Sequence, residues 1–199
     1  RLSVVNSKTN IPHNCSSYCM NLRLRKSISV AMVMFVALLL SSCSSTWLYT
    51  SFHEPADQGL RMLYSYDAYH WNDFGKIFLK PEIGEQKIMR DPSIIFGPDK
   101  KFHLVWTTEW KGGNGFGYAS SGDLIHWSKE QYIPVMSDEA SVINVWAPEI
   151  FFDRKEHQYI IVWASDVPYR FAKGTEDENN NHRLYYTTTK DFHSFSKEK

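Results

Sequence analysis

After residue 46 the apolar positions come in short runs and never settle into a sustained 3.6-residue period, so the chain predicts strands and almost no helix. Ser93–Phe96 and Phe102–Thr107 are β-branched and aromatic, and Gly97-Pro-Asp-Lys between them is turn chemistry; together they predict a hairpin. Glu149–Phe152 and Tyr159–Ala164 repeat the arrangement around Asp153-Arg-Lys-Glu. Phe116–Ser120 and Gln131–Val135 are expected as the third and outer strands of the middle unit.

A repeat underlies these elements. Asp67-Ala-Tyr-His-Trp71, Asp123-Leu-Ile-His-Trp127 and Asp191-Phe-His-Ser-Phe195 each place an aspartate four positions before a large aromatic, directly after a strand-like run. The spacings are 56 and 68 residues, and the 12 extra fall in two places: one in the hairpin between Pro148 and Trp163, eleven between Trp163 and Tyr186. Units of this length, each of four short antiparallel strands, predict an all-β fold, a β-propeller with about three blades present. The recurrent aspartate is expected to hold a tight turn through its own backbone and the aromatic to pack between blades. His70 and His126, at equivalent positions, are expected to be structural.

The N-terminus reads as an address. Arg23, Arg25 and Lys26 precede the apolar run Ile28–Leu40, which leads into Leu40-Ser-Ser-Cys43. A positive segment, a short apolar run and small residues before a cut make a secretory signal peptide, and a run of thirteen residues falls short of the about 20 a membrane span needs. Leu-Ser-Ser-Cys resembles the bacterial lipobox, which implies that Cys43 carries the lipid anchor. The expected organisation is 1–19 as upstream sequence, 20–42 as lipoprotein signal and 43–199 as a partial propeller domain, lipid-anchored in the bacterial cell envelope. Cys15 and Cys19 would then be lost in processing, leaving no pair for a disulfide.

Charge narrows the partners. Lys+Arg and Asp+Glu stand at 22 each, with no basic stripe, which argues against nucleic acid. Gly112-Gly-Asn-Gly-Phe-Gly117 misses nucleotide-loop spacing and reads as a loop. The eight histidines lack metal-ligand spacing, and Glu176-Asp-Glu-Asn-Asn-Asn181 reads as a solvated insertion, so neither metal nor cofactor is expected. Aromatics at 15% of the chain are compatible with sugar stacking.

Met89-Arg90-Asp91-Pro92-Ser93-Ile94 and Val145-Trp146-Ala147-Pro148-Glu149-Ile150, one blade apart, resemble glycoside hydrolase family 43, five-bladed propellers that cut arabinose- and xylose-containing glycans. The resemblance runs from about Trp47 to Lys199. It implies Asp91 as the general base of an inverting hydrolysis, and Arg90, Trp146 and Glu149 as residues against a plant-type polysaccharide or oligosaccharide. Because the start of each blade's innermost strand opens onto one face, Asp91 and Glu149 are expected to converge there. Inversion needs two carboxyl groups about 6.5–9.5 Å apart, so that water fits between base and sugar.

The chain departs from the family in two segments. The Ile-Asp-type segment that tunes the acid and the Glu-Gly-Pro-type segment that supplies it do not occur, and the chain stops at Ser196-Lys-Glu-Lys199, before the outer strand expected in the third repeat. The expectation is an N-terminal portion of a longer enzyme, inactive and aggregation-prone alone. Two other readings stand beside it: an envelope lipoprotein that binds glycan without cleaving it, and an invertase-type fructan hydrolase, for which Trp47–Phe52 offers no nucleophilic carboxylate.

Overall fold

A computed structural model describes residues 46–172, 177 and 180–199. Cys43 and the apolar run before it lie outside the described residues, as do Glu176, Glu178 and Asn179 of the acidic insertion. Ten strands are described: β1 (Trp47–Ser51), β2 (Arg61–Ser65), β3 (Asn72–Asp73), β4 (Arg90–Phe96), β5 (Phe102–Thr107), β6 (Phe116–Ser121), β7 (Gln131–Ile133), β8 (Trp146–Asp153), β9 (Gln158–Ser165) and β10 (Arg183–Thr189). They form three antiparallel sheets in the orders β1-β2-β3, β4-β5-β6-β7 and β8-β9-β10, with no α-helix among the described residues. The predicted hairpins and the third and outer strands of the middle blade are all present, the outer strand ending at Ile133 instead of Val135.

Register aligns the blades. Trp47 pairs with Ser65, Phe102 with Ser121 and Tyr159 with Thr189, and each second partner stands two residues before a repeat aspartate. Hence β1, β5 and β9 are equivalent, as are β2, β6 and β10. β4 and β8 are the innermost strands, for which the first sheet has no counterpart among the described residues. Beyond β10, Ser196 N donates to Thr188 O (2.9 Å) and Lys199 N to Tyr186 O (3.1 Å). The last residues therefore already run along the outer edge of the third sheet, where the sequence suggested a stop before it.

Each repeat aspartate holds its turn as expected. One carboxylate oxygen accepts the next two available backbone N–H groups: Tyr69 and His70 for Asp67, Ile125 and His126 for Asp123, His193 and Ser194 for Asp191, all at 2.7–2.9 Å. These donors, with the His70 and His126 rings on the other oxygen at 2.6 and 2.7 Å, hold the Asp67 and Asp123 carboxyls well below the usual range. A hydroxyl two residues earlier completes the motif: Ser65, Ser121 and Thr189 each accept two backbone N–H groups of the turn.

The core lies between sheets. Leu60, Met62, Met89, Ile94, Leu104, Trp106 and Ala119 fill the space around the first and second. A larger cluster that includes Val105, Phe116, Ile150, Ile161, Trp163 and Tyr185 fills that between the second and third. In β5 nearly every residue is buried, because alternate side chains enter different clusters; in β9 burial strictly alternates, because one face packs and the other does not. Trp127 and Phe195 pack against these two clusters, whereas Trp71, at the outer side of the first sheet, belongs to neither: its ring meets Tyr49 edge-on at 5.6 Å and its N–H donates to Ala68 O at 3.2 Å. The aromatic of the repeat packs toward a preceding sheet, and Trp71 has none among the described residues. Gly117 is required where Trp106 lies on the sheet, since a Cβ there would stand 2.1 Å from the indole.

Candidate active site

Asp91 and Ala147 occupy equivalent positions at the starts of the innermost strands, and both are left-handed, with φ +46° and +48°. In each strand the register slips at that point, between Arg90 and Ser93 and between Trp146 and Glu149. A bulge re-aims the side chain it carries. A non-glycine residue at positive φ directly before a proline is strained by about 1–3 kcal/mol, a cost that persists where surrounding structure imposes it.

The Asp91 carboxyl is half-buried. Desolvation pushes its pKa up, opposed by the Arg90 charge and a hydrogen bond from Thr107. Thr107 Oγ1 lies 3.4 Å from Asp91 Oδ2 and 2.8 Å from Ala147 N, so one hydroxyl touches both bulges. Oδ1 has no hydrogen bond to a described residue.

Arg90 pairs with Glu54 at 2.8 Å, and its guanidinium lies over Trp110 at 4.4 Å and Phe52 at 5.4 Å. Trp110 stacks on Trp146 (4.6 Å, 18°), and Trp146 on His182 (5.0 Å, 21°). The Trp146 indole N–H donates to Trp110 O at 2.9 Å. His182 is tied through Asn144 to Ala164 O. The result is a row of flat groups across three blades, at the strand ends where Asp91 stands. Trp110 is 45% exposed.

Glu149 aligns with Ser93, not with Asp91. Ser93 Oγ accepts Ile150 N–H from the third sheet at 3.3 Å; Glu149 lies on the opposite face from buried Ile150, with exposed Phe151, and has no hydrogen bond to a described residue. Residue for residue, the position matching Asp91 in the next blade is Ala147, which carries no carboxylate.

The hairpin register also aligns Glu54, Glu109 and Asp166, each three residues past β1 or two past Thr107 and Ala164. Glu54 takes Arg90, and Glu109 accepts Glu85 N–H at 2.9 Å. Asp166 is wholly buried with neither oxygen bonded to a described residue. A cleft of about 560 Å³ opens beside Glu109, lined also by Glu85, Asn114, Tyr132 and Glu139. Another, of about 340 Å³, lies at the opposite strand ends around Asp99 and His103, away from Asp91. Thr107, Trp110, Glu109 and His182 were not singled out in the sequence; extending the repeat past Trp106 and Trp163 would have aligned Glu109 with Asp166. Among the described residues no cluster of three or more His, Cys, Asp or Glu could hold a metal ion.

A family model described as "Probable glycosyl hydrolase domain", related to family 43, matches residues 43–199. Among solved structures, a thermostable family-43 glycoside hydrolase superposes with a TM-score of 0.52 at 16% identity, over 79% of this chain and 48% of that one. A native Bacillus subtilis arabinanase gives 0.47 at 15%, over 78% and 72%. The chain thus spans about half the length of the first of these. No curated protein matches.

Proposed function

We propose, because this chain belongs to the family-43-related glycosyl hydrolase domains, that it forms the base-bearing part of a glycoside hydrolase acting on α-L-arabinofuranosyl or β-D-xylosyl linkages with inversion. The observation that carries the reading is Asp91: a strained bulge aims it, burial makes its carboxylate more basic, and Oδ1 is left to accept a proton from water. Arg90, fixed by Glu54, and Trp146 in its stack would line the sugar, with Trp110 the more accessible ring. We assign the proton donor to a further blade on the open face of the third sheet, so that residues 43–199 alone would not turn over.

Asp91→Asn in the full-length enzyme should lower kcat on pentose-linked chromogenic glycosides by ~10²–10⁴-fold; wild-type turnover would remove the assignment. The row of stacked rings beside Asp91 also suits a second reading, glycan binding without cleavage, which predicts retained affinity and no turnover in the full-length protein. For the N-terminus we propose signal cleavage before Cys43 and lipid attachment there. Cys43→Ala should abolish labelled-palmitate incorporation in a bacterial host, and undiminished labelling would overturn it.

A further inference from the structure

We infer that Thr107 is the positioning residue for Asp91, its hydroxyl tying the carboxylate of one blade to the backbone of the next. This rests on the reading of Asp91 as a base, but its geometry stands independently. Thr107 is wholly buried at the end of β5 and pairs with Arg90 across the bulge. The hydroxyl has one proton. An N–H can only donate, so Oγ1 accepts from Ala147, and its own proton is free for Asp91 Oδ2, which when ionised can only accept. Both hydrogen-bonding roles are forced by chemistry.

The position is specific to this blade. Its equivalents are Phe52 in the first sheet and Ala164 in the third, neither able to donate, and neither the first nor the third described sheet presents a carboxylate at the Asp91 position. The 3.4 Å separation is long for a hydroxyl donor, as catalytic contacts often are before substrate tightens them. Thr107 anchors Oδ2 and leaves Oδ1 for water. Because the Ala147 amide sets the hydroxyl, the carboxylate's orientation depends on the seam between second and third blades.

The test is the titration of Asp91 itself, followed by side-chain carboxyl ¹³C NMR in the full chain and assigned by its loss in Asp91→Asn. Thr107→Val keeps the shape and removes the proton. The Asp91 midpoint should rise by about half a unit or more, and Thr107→Ser should restore it. Thr107→Ala serves in place of Val if the extra methyl disturbs the fold. An unmoved midpoint in the Val and Ala variants overturns the inference even if Asp91→Asn abolishes turnover. A moved midpoint, restored by Ser, upholds it, and the fate of the base assignment is then read from Asp91→Asn alone.

Discussion

His103 Nε2 lies 3.0 Å from Asp99 Oδ1, while its Nδ1 meets the Tyr118 hydroxyl at 2.9 Å, in the seam between the second and third sheets. The ring is 3% exposed and stacks on Phe192 at 4.4 Å. Neutral imidazole satisfies this geometry fully: Nε2–H donates to Asp99 and Nδ1 accepts from Tyr118. Burial therefore pushes the His103 pKa down, against the opposing pull of Asp99. The folded value lies below the unfolded one, near 6.5. The stabilisation is present above that pH and is lost as pH falls through the folded pKa, because the unfolded chain takes the proton first. Thermal midpoints should drop on acidification below about pH 6.5, and His103→Phe, which keeps the stack, should flatten that part of the profile. An equally steep acid profile in the variant would show that other groups carry it.

The hydroxyl ahead of each repeat aspartate makes a second prediction. Ser121 Oγ is buried, accepts Asp123 N–H and Leu124 N–H, and donates to Asp123 Oδ1. Ser121→Ala leaves these amides unpaired at the base of the turn, at a cost of about 1–3 kcal/mol. Ser121→Thr, the residue used at Thr189, should cost far less. Urea midpoints distinguish the two, and equal loss in both variants would mean that packing, not the hydroxyl, matters there.

Legibility in the sequence followed the range of the interactions. The aspartate turns, hairpins and blade spacing are local, so residue type and register arithmetic located them before any coordinates did. The hydroxyl two residues before each aspartate is equally local but hides among serines and threonines that strands favour anyway. Thr107 was opaque for another reason: it lies 16 residues from Asp91 and 40 from Ala147, and only a bulged register brings the three together. Glu149 differs: counted from Pro148, as Ser93 from Pro92, it already matches Ser93, and strand alternation turns it to the sheet's open face, away from Asp91.

That open face has a physical consequence. Glu149, Phe151, Val162, Leu184 and Tyr186 share it, with Leu184 76% exposed. The equivalent face of the second sheet, which includes Val105, is covered by the third. A contiguous apolar sheet face left in water promotes association. Leu184→Lys should raise the concentration at which residues 43–199 remain monodisperse and lower dye binding to apolar surface, with the thermal midpoint nearly unchanged. If the midpoint instead falls by several degrees, Leu184 is holding the fold and not merely exposed by it.

Trp110 separates sugar contact from chemistry. Its ring bridges Arg90 and Trp146, is the exposed member of the row, and makes no hydrogen bond to Asp91. Replacing it by alanine removes an aromatic surface worth about 0.5–1.5 kcal/mol to a stacked partner, so KM of the full-length enzyme should rise by roughly two- to tenfold while the pH midpoint of kcat stays in place. Phe at 110 should recover most of the affinity. The contrast with Thr107→Val, expected to move the pH midpoint and leave KM alone, makes the pair diagnostic. If Trp110→Ala lowers kcat at unchanged KM, the ring orders the reacting groups and the sugar sits elsewhere on the face.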